Sequence, residues 1–292
     1  RGALGTAMAN IRQIRRRIRS VQNTAKITKA MQMIAASKMR KAQQLTLANR
    51  PYAEKLQTVL ADLAAQPTES GDIHPILQQR KVAHTTIIHI TPDRGLCGGL
   101  NANINRMAGQ FIIEEQTQTS IIAVGKKGRD FMIRYGRDVR AVFVDLGDRP
   151  SSLEALPIAY QVINDYTNHK TDRVMISYSQ FINTVVQKPI IQQLLPVKPA
   201  TLEMSQTIGY IYEPSAEEVL PSLLPRFVEV EIYQAILESI ASEQSARMVA
   251  MRNATDSASE MIDALTLMMN KARQETITTE LLDIVGGVAA LG

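Results

Sequence analysis

Glycine and proline are missing from two long stretches of this chain, residues 6–50 and 226–285, although both residue types are frequent between them. These stretches of about 45 and about 60 residues are far longer than the mean globular helix of roughly 11–12 residues. Because an α-helix rises about 1.5 Å per residue, such helices would be roughly 65 and 90 Å long. The pattern therefore predicts a very long helix at each end of the chain, longer than a compact domain of this size is wide.

Apolar residues recur at steps of three and four in both stretches, which is the spacing of a coiled-coil seam. The first seam comprises Ile11, Ile14, Ile18, Val21, Ala25, Ala35, Met39 and Ala42, with a neighbouring stripe at Ile27, Met31 and Ile34. The second comprises Tyr233, Leu237, Ile240, Gln244, Arg247, Met251, Ala254, Ala258, Met261, Leu265, Met268 and Ala272. We predict that the helices pair antiparallel and that the intervening chain folds at one end of the pair. The alternative is two separate core helices of a bundle.

Gln244 and Arg247 occupy seam positions where an apolar residue is expected. A polar residue in a seam can fix the register of the helices. The other interpretation is functional, with this part of the helix surrounded by another protein to which it presents hydrogen-bonding groups. The sequence leaves both interpretations open for Arg247.

The first helix is strongly basic, since no acidic residue precedes Glu54 whereas arginines and lysines recur throughout residues 12–50. Such a helix is expected to bind acidic protein, phosphate or an anionic membrane surface, and charge alone does not choose among them. A mitochondrial transit peptide is also Arg-rich, but this pattern continues far beyond the length of one, and we leave the residues before Met8 out of the fold reasoning. No apolar run approaches the roughly 20 residues that span a bilayer.

The last helix ends in an uncharged apolar tip that contains Ile284, Val285, Val288, Ala289, Ala290 and Leu291, broken by Gly286 and Gly287. Chain ends are usually polar and frayed. The tip therefore suggests a hydrophobic socket in a partner. Docking of the tip on the protein's own globular part is the alternative.

The middle of the chain alternates strand and helix patterns, which predicts an α/β domain with a mainly parallel, Rossmann-like sheet. The predicted strands are residues 85–91, 120–125, 139–146 and 173–179, and the predicted helices are residues 101–118, 128–135 and 153–169. Residues 185–197 and 207–212 are expected to add extended structure. Pro221 and Pro225 predict that the regular part of the last helix begins near Arg226.

The glycine-rich loop at residues 93–101 follows the first predicted strand, where such loops can hold phosphate. Its spacing does not match GxGxxG, and residues 125–128 lack the Walker A frame, so a tight structural turn is the better interpretation. The single cysteine, Cys97, excludes an internal disulfide and has no recognisable catalytic partner, and the four histidines show no metal-ligand spacing. We therefore predict no catalytic constellation, cofactor or metal site.

Five segments carry a resemblance to a known family: ITKAMQMIAASKMRKA at 27–42, DRGLCGGLN at 93–101, FINT at 181–184, ASEQSARMVAM at 241–251 and NKARQETITTE at 270–280. Together they closely resemble the gamma subunit family of F-type ATP synthases, the central rotor shaft. The resemblance covers nearly the whole chain from Met8 in the correct order, so it is far more specific than any single motif.

The resemblance implies a fold of three segments: an N-terminal coiled-coil helix (8–66), a Rossmann-like α/β foot domain (67–214) and a C-terminal coiled-coil helix (215–292). It implies a noncatalytic, single-copy subunit that couples proton-driven rotation to ATP synthesis or hydrolysis on the beta subunits. The implied partners are the hexameric head of alpha and beta subunits, the epsilon subunit and the membrane rotor ring. The implied location is peripheral, on the cytoplasmic face of a bacterial cell membrane. By the resemblance, Met31, Arg247, Gln274 and Thr278 fall on positions that face the beta subunits or govern coupling. The polar seam residue Gln244 is predicted as a further coupling contact.

Two other functions compete with this one. The basic first helix would suit a nucleic-acid-binding coiled-coil protein, although here cations and seam residues share one helix, whereas a basic region normally precedes its zipper. A nucleotide-dependent enzyme built on the central sheet is the other alternative.

Overall fold

The computed structural model describes residues 2–65, 74–197, 213 and 215–289, and among these it describes side chains for residues 11–49, 51–63, 74–197, 213, 215, 218–282 and 284–286. The helices and strands are α1 (Gly2–Ala65), β1 (His84–Ile90), α2 (Leu100–Glu114), β2 (Gln118–Val124), α3 (Lys126–Arg134), β3 (Asp138–Phe143), α4 (Leu156–Thr167), β4 (Arg173–Phe181), β5 (Gln187–Leu195) and α5 (Ala216–Ala289). The long terminal helices α1 and α5 therefore flank an alternating α/β region, as predicted.

The five strands form one sheet in the order β3-β2-β1-β4-β5. The first four are parallel and β5 runs antiparallel to β4. Isoleucine, valine and threonine dominate the central strands, which suits a sheet covered on both faces. From β1 the sheet grows in two directions: β2 and β3 lie on one side of it, and β4 and β5 lie on the other. The topological switch point is therefore between β1 and β4.

Each face of the sheet has its own core, because successive strand residues point to opposite sides. On one face Ile87 and Ile121 pack with Ala108 of α2 and Met132 of α3. On the other face strands β1, β2 and β4 pack with α4 and with the first half of α5. That core includes Ile88, Ile122, Ile176, Ile158, Val162, Leu224, Val228, Ile232 and Ile236, together with Leu60 of α1. The prediction of a Rossmann-like α/β domain is confirmed.

The predicted strands and helices of the middle region agree with the structure to within a few residues at most ends. Extended structure near 185–197 is confirmed as β5, whereas the predicted segment 207–212 lies outside the described residues. The domain division at residues 66 and 214 stays a prediction.

The prediction that the last helix becomes regular near Arg226 is wrong, because α5 begins at Ala216 and contains Pro221 and Pro225. A proline inside a helix lacks an N–H and crowds a carbonyl one turn earlier, which costs about 3 kcal/mol. Leu224 and Val228 are completely buried against the sheet in this region. Each such side chain contributes roughly 1.5–3 kcal/mol on burial, so packing offsets the cost of the prolines.

The chain divides into two compact units, and both α1 and α5 contribute to each. The first unit consists of Arg1–Ile34 and Met248–Gly292, and the second consists of Ala35–Arg247. Within the first unit, Ile14 and Ile18 pack against Leu265, while the hydroxyls of Thr28 and Thr255 are hydrogen-bonded at 2.7 Å. Residue numbers rise along α1 as they fall along α5, so the predicted antiparallel pair is confirmed.

The seam of α5 lies one residue away from its predicted position at two places. Met261 and Met268, predicted in the seam, are 52% and 57% exposed, whereas Ile262 and Met269 pack against the isoleucines of α1. The prediction for the two methionines is wrong. Both alternatives are apolar, so the sequence pattern alone could not choose between the neighbouring positions.

Candidate functional site

The five residues predicted to form functional contacts fall into two groups. Met31 is half-buried, and Gln274 and Thr278 are exposed, all three in the first unit. Gln244 is 2% exposed, and the side chain of Arg247 is 11% exposed, both in the second unit. The structure thus brings Gln244 and Arg247 together on one short segment of α5 in the second unit, whereas the other three residues belong to the first unit.

Arg247 binds the loop that follows β1. Its Nη2 atom donates to the carbonyl oxygen of Gly95 at 3.1 Å and to Oε1 of Glu243, one turn earlier on α5, at 2.6 Å. Burial raises the pKa of the Glu243 carboxyl, and the neighbouring guanidinium of Arg247 opposes that shift. The ion pair is mostly buried. Both partners of Arg247, Gly95 and Glu243, belong to its own chain.

Gln244 binds the loop that follows β3. Its Nε2 atom donates to Oδ1 of Asp148 at 3.4 Å, and the other carboxylate oxygen of Asp148 lies 2.6 Å from Nζ of Lys38 on α1. One carboxylate therefore holds both long helices. Direct contact of Gln244 and Arg247 with a neighbouring subunit stays a prediction.

Two serines complete this arrangement, and the sequence analysis missed them. The hydroxyl of Ser242 donates to the carbonyl of Ser179 at 2.8 Å, and the hydroxyl of Ser245 donates to the carbonyl of Thr184 at 2.8 Å. Both serines are completely buried. Their presence beside Gln244 and Arg247, in an otherwise apolar stripe, is the signal that could have revealed them. We call residues 242–247 the polar segment.

The polar segment lies at the carboxyl edge of the sheet, where open α/β folds hold their ligands. Ser242 and Ser245 bind the end of β4 and the β4–β5 hairpin, and Arg247 binds the loop after β1. These are the two sides of the topological switch. Among the described residues, the cavity that remains beside Thr91, Asp93, Gly125 and Glu243 measures about 50 Å³. Ligand sites usually measure roughly 300–1,000 Å³, so this cavity is too small for a nucleotide.

The glycine-rich loop is a structural turn, as predicted. The carboxylate of Asp93 accepts from the backbone N–H groups of Lys126 at 2.9 Å and Asp145 at 3.0 Å, which joins the loops after β1, β2 and β3. Leu96 and Gly98 have positive φ angles of 62° and 59°. Cys97 is buried, as expected for a structural thiol, and burial raises its pKa.

The two glycines of residues 125–128, the segment that lacks the Walker A frame, are also explained by packing. Gly125 has a φ of +100°, and a Cβ there would lie 1.9 Å from the carbonyl oxygen of Thr91. A Cβ on Gly128 would lie 2.6 Å from the His89 ring. Both glycines are needed because the backbone after β2 approaches β1 closely.

The first unit carries a different kind of surface. Its seam is closed, yet large apolar side chains outside the seam are exposed, namely Ile27, Met33, Ile34, Met261, Leu267, Met268, Ile277, Leu281, Leu282, Ile284 and Val285. The arginines at 12, 15, 16, 17 and 19 are exposed on α1. Exposed apolar surface of this extent is typical of a binding surface for another macromolecule.

The C-terminal tip is only partly described. The helix α5 continues through Gly286 and Gly287 to Ala289, with Ile284 and Val285 exposed. Ala290 and Leu291 lie outside the described residues, as do the side chains of Val288 and Ala289. In the part of the chain that the structure covers, no helix is long and apolar enough to cross a bilayer. The same residues contain no group of three or more histidines, cysteines or acidic residues that could hold a metal ion.

The fold and the site define a class of protein. It has an α/β domain whose own C-terminal helix occupies the ligand edge of the sheet, and the same chain forms an antiparallel pair of long helices with exposed apolar residues. A family model described as ATP synthase matches residues 10–291. The chain belongs to the ATP synthase gamma chain family.

Individual relatives agree with this assignment. The ATP synthase gamma chain of Dehalococcoides mccartyi is 60% identical over 284 residues, which cover 97% of this chain and 100% of the relative. That of Herpetosiphon aurantiacus is 50% identical over 293 residues, covering 97% and 99%. The family match favours neither the nucleic-acid-binding coiled coil nor the nucleotide-dependent enzyme.

Solved structures agree as well. A chain in the central stalk and c-ring structure of the Tetrahymena thermophila mitochondrial ATP synthase has a TM-score of 0.61 and 28% identity, covering 78% of this chain and 99% of that one. A chain in the Euglena gracilis mitochondrial ATP synthase has a TM-score of 0.67 at 22% identity, covering 97% and 95%, and supports the fold. The predicted assignment to the central stalk is confirmed.

Proposed function

We propose that this chain is the noncatalytic rotor subunit of a proton-translocating F-type ATP synthase. It couples ion-driven rotation to ATP synthesis or hydrolysis on partner beta subunits, and one copy serves each complex. The partners are the hexameric head of alpha and beta subunits, the epsilon subunit and the membrane rotor ring. Through these partners the chain is peripheral to the cytoplasmic face of a bacterial cell membrane.

The observation that carries this proposal is the exposed surface of the first unit in a chain that matches its gamma-chain relatives over nearly their whole length. Side chains such as Ile27, Ile34, Leu267 and Val285 are more than half exposed although the helix pair has already closed its own seam. Burial of apolar surface is the main favourable contribution to protein association. Enclosure of the helix pair by a ring of subunits would bury these side chains.

Met31, Gln274 and Thr278 are proposed as rotor–stator contacts on this surface. Met31 lies between Ile27 and Ile34 along α1, and Gln274 and Thr278 lie one turn apart on an exposed face of α5. The exposed arginines of α1 are proposed to meet acidic segments of the beta subunits. Oppositely charged surfaces orient an encounter and suppress wrong partners more than they add to affinity.

The asymmetry of the helix pair is what allows it to direct three otherwise equivalent catalytic sites. A ligand that binds all conformations of a site equally shifts no population, however tightly it binds. In the first unit α1 presents cations and Ile27, whereas α5 presents Leu267, Met268 and the amide of Gln274. Each beta subunit would therefore meet different chemistry at each rotor angle.

A noncatalytic role is supported by the filled carboxyl edge of the sheet. The polar segment occupies the crevice where a Rossmann-like fold would hold a nucleotide, and about 50 Å³ remains beside it. Titration of the isolated chain with ATP in a calorimeter is therefore expected to give no binding heat.

Co-expression with alpha and beta subunits tests the proposed function. We expect a stable complex that contains one copy of this chain per head hexamer by native mass spectrometry, with its ATP hydrolysis on the beta subunits. Recovery of the chain alone, or in several copies per hexamer, would contradict the proposal. A complex with the same hydrolysis rate in the presence and absence of the chain would contradict the coupling role.

A further inference from the structure

We propose that the polar segment (residues 242–247) is a torsional anchor, by which the α/β domain fixes the rotational angle of α5 and α1 so that torque passes between the sheet and the helices. This inference rests on the proposed function. It assigns a positioning role to Ser242, Gln244, Ser245 and Arg247, and it differs from a contact with the stator because all the partners lie within the chain.

The contacts of the polar segment point in different directions around the axis of α5. Successive residues of an α-helix are about 100° apart around its axis. Ser242 and Ser245 bind the end of β4 and the β4–β5 hairpin, Arg247 binds the loop after β1, and Gln244 binds Asp148 after β3. By this spacing Ser242 and Ser245 lie on one side of α5, and Gln244 and Arg247 lie on the opposite side. A helix held from one side can roll about that contact, whereas a helix held from two opposite sides cannot.

The same loops hold the second helix. Asp148 accepts from Gln244 through one oxygen and pairs with Lys38 of α1 through the other. Asp93 joins the loops that supply these partners by accepting from two backbone N–H groups. Torque on either helix is therefore passed to the same set of loops.

Rotation about the helix axis would be costly because the anchoring groups are buried. Ser242 and Ser245 are completely enclosed, and Gln244 is nearly so. A buried polar group that loses its partner keeps the full cost of its desolvation. The Gln187 amide also reaches Ser245, at 3.4 Å, so a slip of α5 would disturb the hairpin at several points.

The apolar packing of α5 cannot perform this task by itself. Leu224, Val228, Ile232 and Ile236 attach the preceding turns of α5 to the sheet. Apolar burial is non-directional and tolerates small rotations, whereas hydrogen bonds weaken steeply as their angle departs from linear. The polar segment adds the directional contacts immediately after this apolar stretch.

The test compares two double variants in the assembled complex. Ser242→Ala with Ser245→Ala removes two anchoring hydrogen bonds at almost constant volume. Ser151→Ala with Ser152→Ala makes the same change at two exposed positions of the second unit. Complexes of each variant are reconstituted in vesicles, and ATP hydrolysis and ATP-driven proton uptake are measured together.

We expect the double variant Ser242→Ala with Ser245→Ala, the anchor variant, to hydrolyse ATP while pumping fewer protons per ATP than the wild type. Each buried hydrogen bond removed raises the population of slipped states by about fivefold, and the two together by roughly 25-fold. The number of protons pumped per ATP should therefore fall under load. The control variant should retain the wild-type ratio. An anchor variant with the wild-type ratio would overturn the inference, and a wild-type complex that pumps no protons would instead overturn the proposed function.

A mechanical measurement separates anchoring from simple loss of stability. With the head immobilised and a bead attached to the α/β domain, the angular fluctuations of the bead report torsional stiffness. We expect a wider angular distribution for the anchor variant, by about twofold in variance if two of the directional contacts are lost. A lower melting temperature with an unchanged angular distribution would mean that the serines are merely structural, and would overturn the proposal.

Discussion

His89 is completely enclosed between the sheet and the helices on one of its faces. Its Nε2 atom donates to Oδ1 of Asn105 on α2 at 2.8 Å, and its Nδ1 atom accepts from the hydroxyl of Ser177 on β4 at 3.2 Å. Gly128 leaves the space that the ring fills. Every one of these neighbours is uncharged, so burial lowers the pKa of His89 to about 4.

Because His89 is buried in its neutral form, we expect the protein to lose stability in acid. The unfolded chain, with an imidazole pKa near 6.5, binds a proton that the folded chain excludes, so stability present above about pH 6.5 is lost as the pH falls toward 4. We expect the free energy of unfolding to fall by about 3 kcal/mol over this range through His89. In the His89→Gln variant the free energy of unfolding should not show this decrease with falling pH. Urea unfolding at several pH values over the same range measures it.

Two buried carboxyl groups also change the free energy of unfolding with pH. Glu231 and Glu243 act in the opposite direction, because burial raises the pKa of both carboxyls and their protonation favours the folded chain. The comparison between variants removes their contribution. Equal slopes for wild type and His89→Gln would contradict the assignment.

At the scale of the helices, the position of the α5 seam can be tested by comparing two neighbouring residues, Ile262 and Met261. Ile262→Ala should lower the free energy of unfolding by about 1–2 kcal/mol, less than for a fully buried isoleucine, because Ile262 packs on Ile14 and Ile18 only in part. Met261→Ala, one residue away and exposed, should change it by less than about 0.5 kcal/mol. Thermal unfolding followed by far-ultraviolet circular dichroism checks both variants. The opposite order would return the seam to Met261 and Met268.

The helices also show how far a periodic pattern can be trusted. Ile14, Ile18, Met39, Met251 and Leu265 are buried as the three-and-four spacing predicts. The sequence did not predict the start of α5, because a proline shows only the local free-energy cost of placing it in a helix. The burial of Leu224 and Val228, which offsets this cost, exists only in the assembled core. The stripe at Ile27 and Ile34 was identified correctly as apolar, but only packing reveals that it lies outside the seam.

At the scale of the whole molecule, Met31 provides a test of coupling. Met31→Lys places an ammonium group between Ile27 and Ile34, on the surface that we propose the head encloses. A charge there must be desolvated or paired differently at each rotor angle, so we expect fewer protons pumped per ATP with nucleotide binding on beta intact. Proton uptake and ATP hydrolysis in reconstituted vesicles measure the ratio. Met31→Leu should leave it unchanged, and an unchanged ratio for Met31→Lys would count against Met31 as a coupling residue.

The sequence by itself determined the class of fold, the pairing of the terminal helices and, through five motif segments, the family. These follow from the order and spacing of residues along the chain, such as the Gly- and Pro-free stretches and the alternating strands. Only the tertiary structure decided what Gln244 and Arg247 bind, that Ser242 and Ser245 belong with them, and that α5 fills the ligand edge of the sheet. The physical reason is that a buried polar side chain is defined by its partners, and Gly95, Asp148, Ser179 and Thr184 come to α5 from distant parts of the chain only when the sheet has formed.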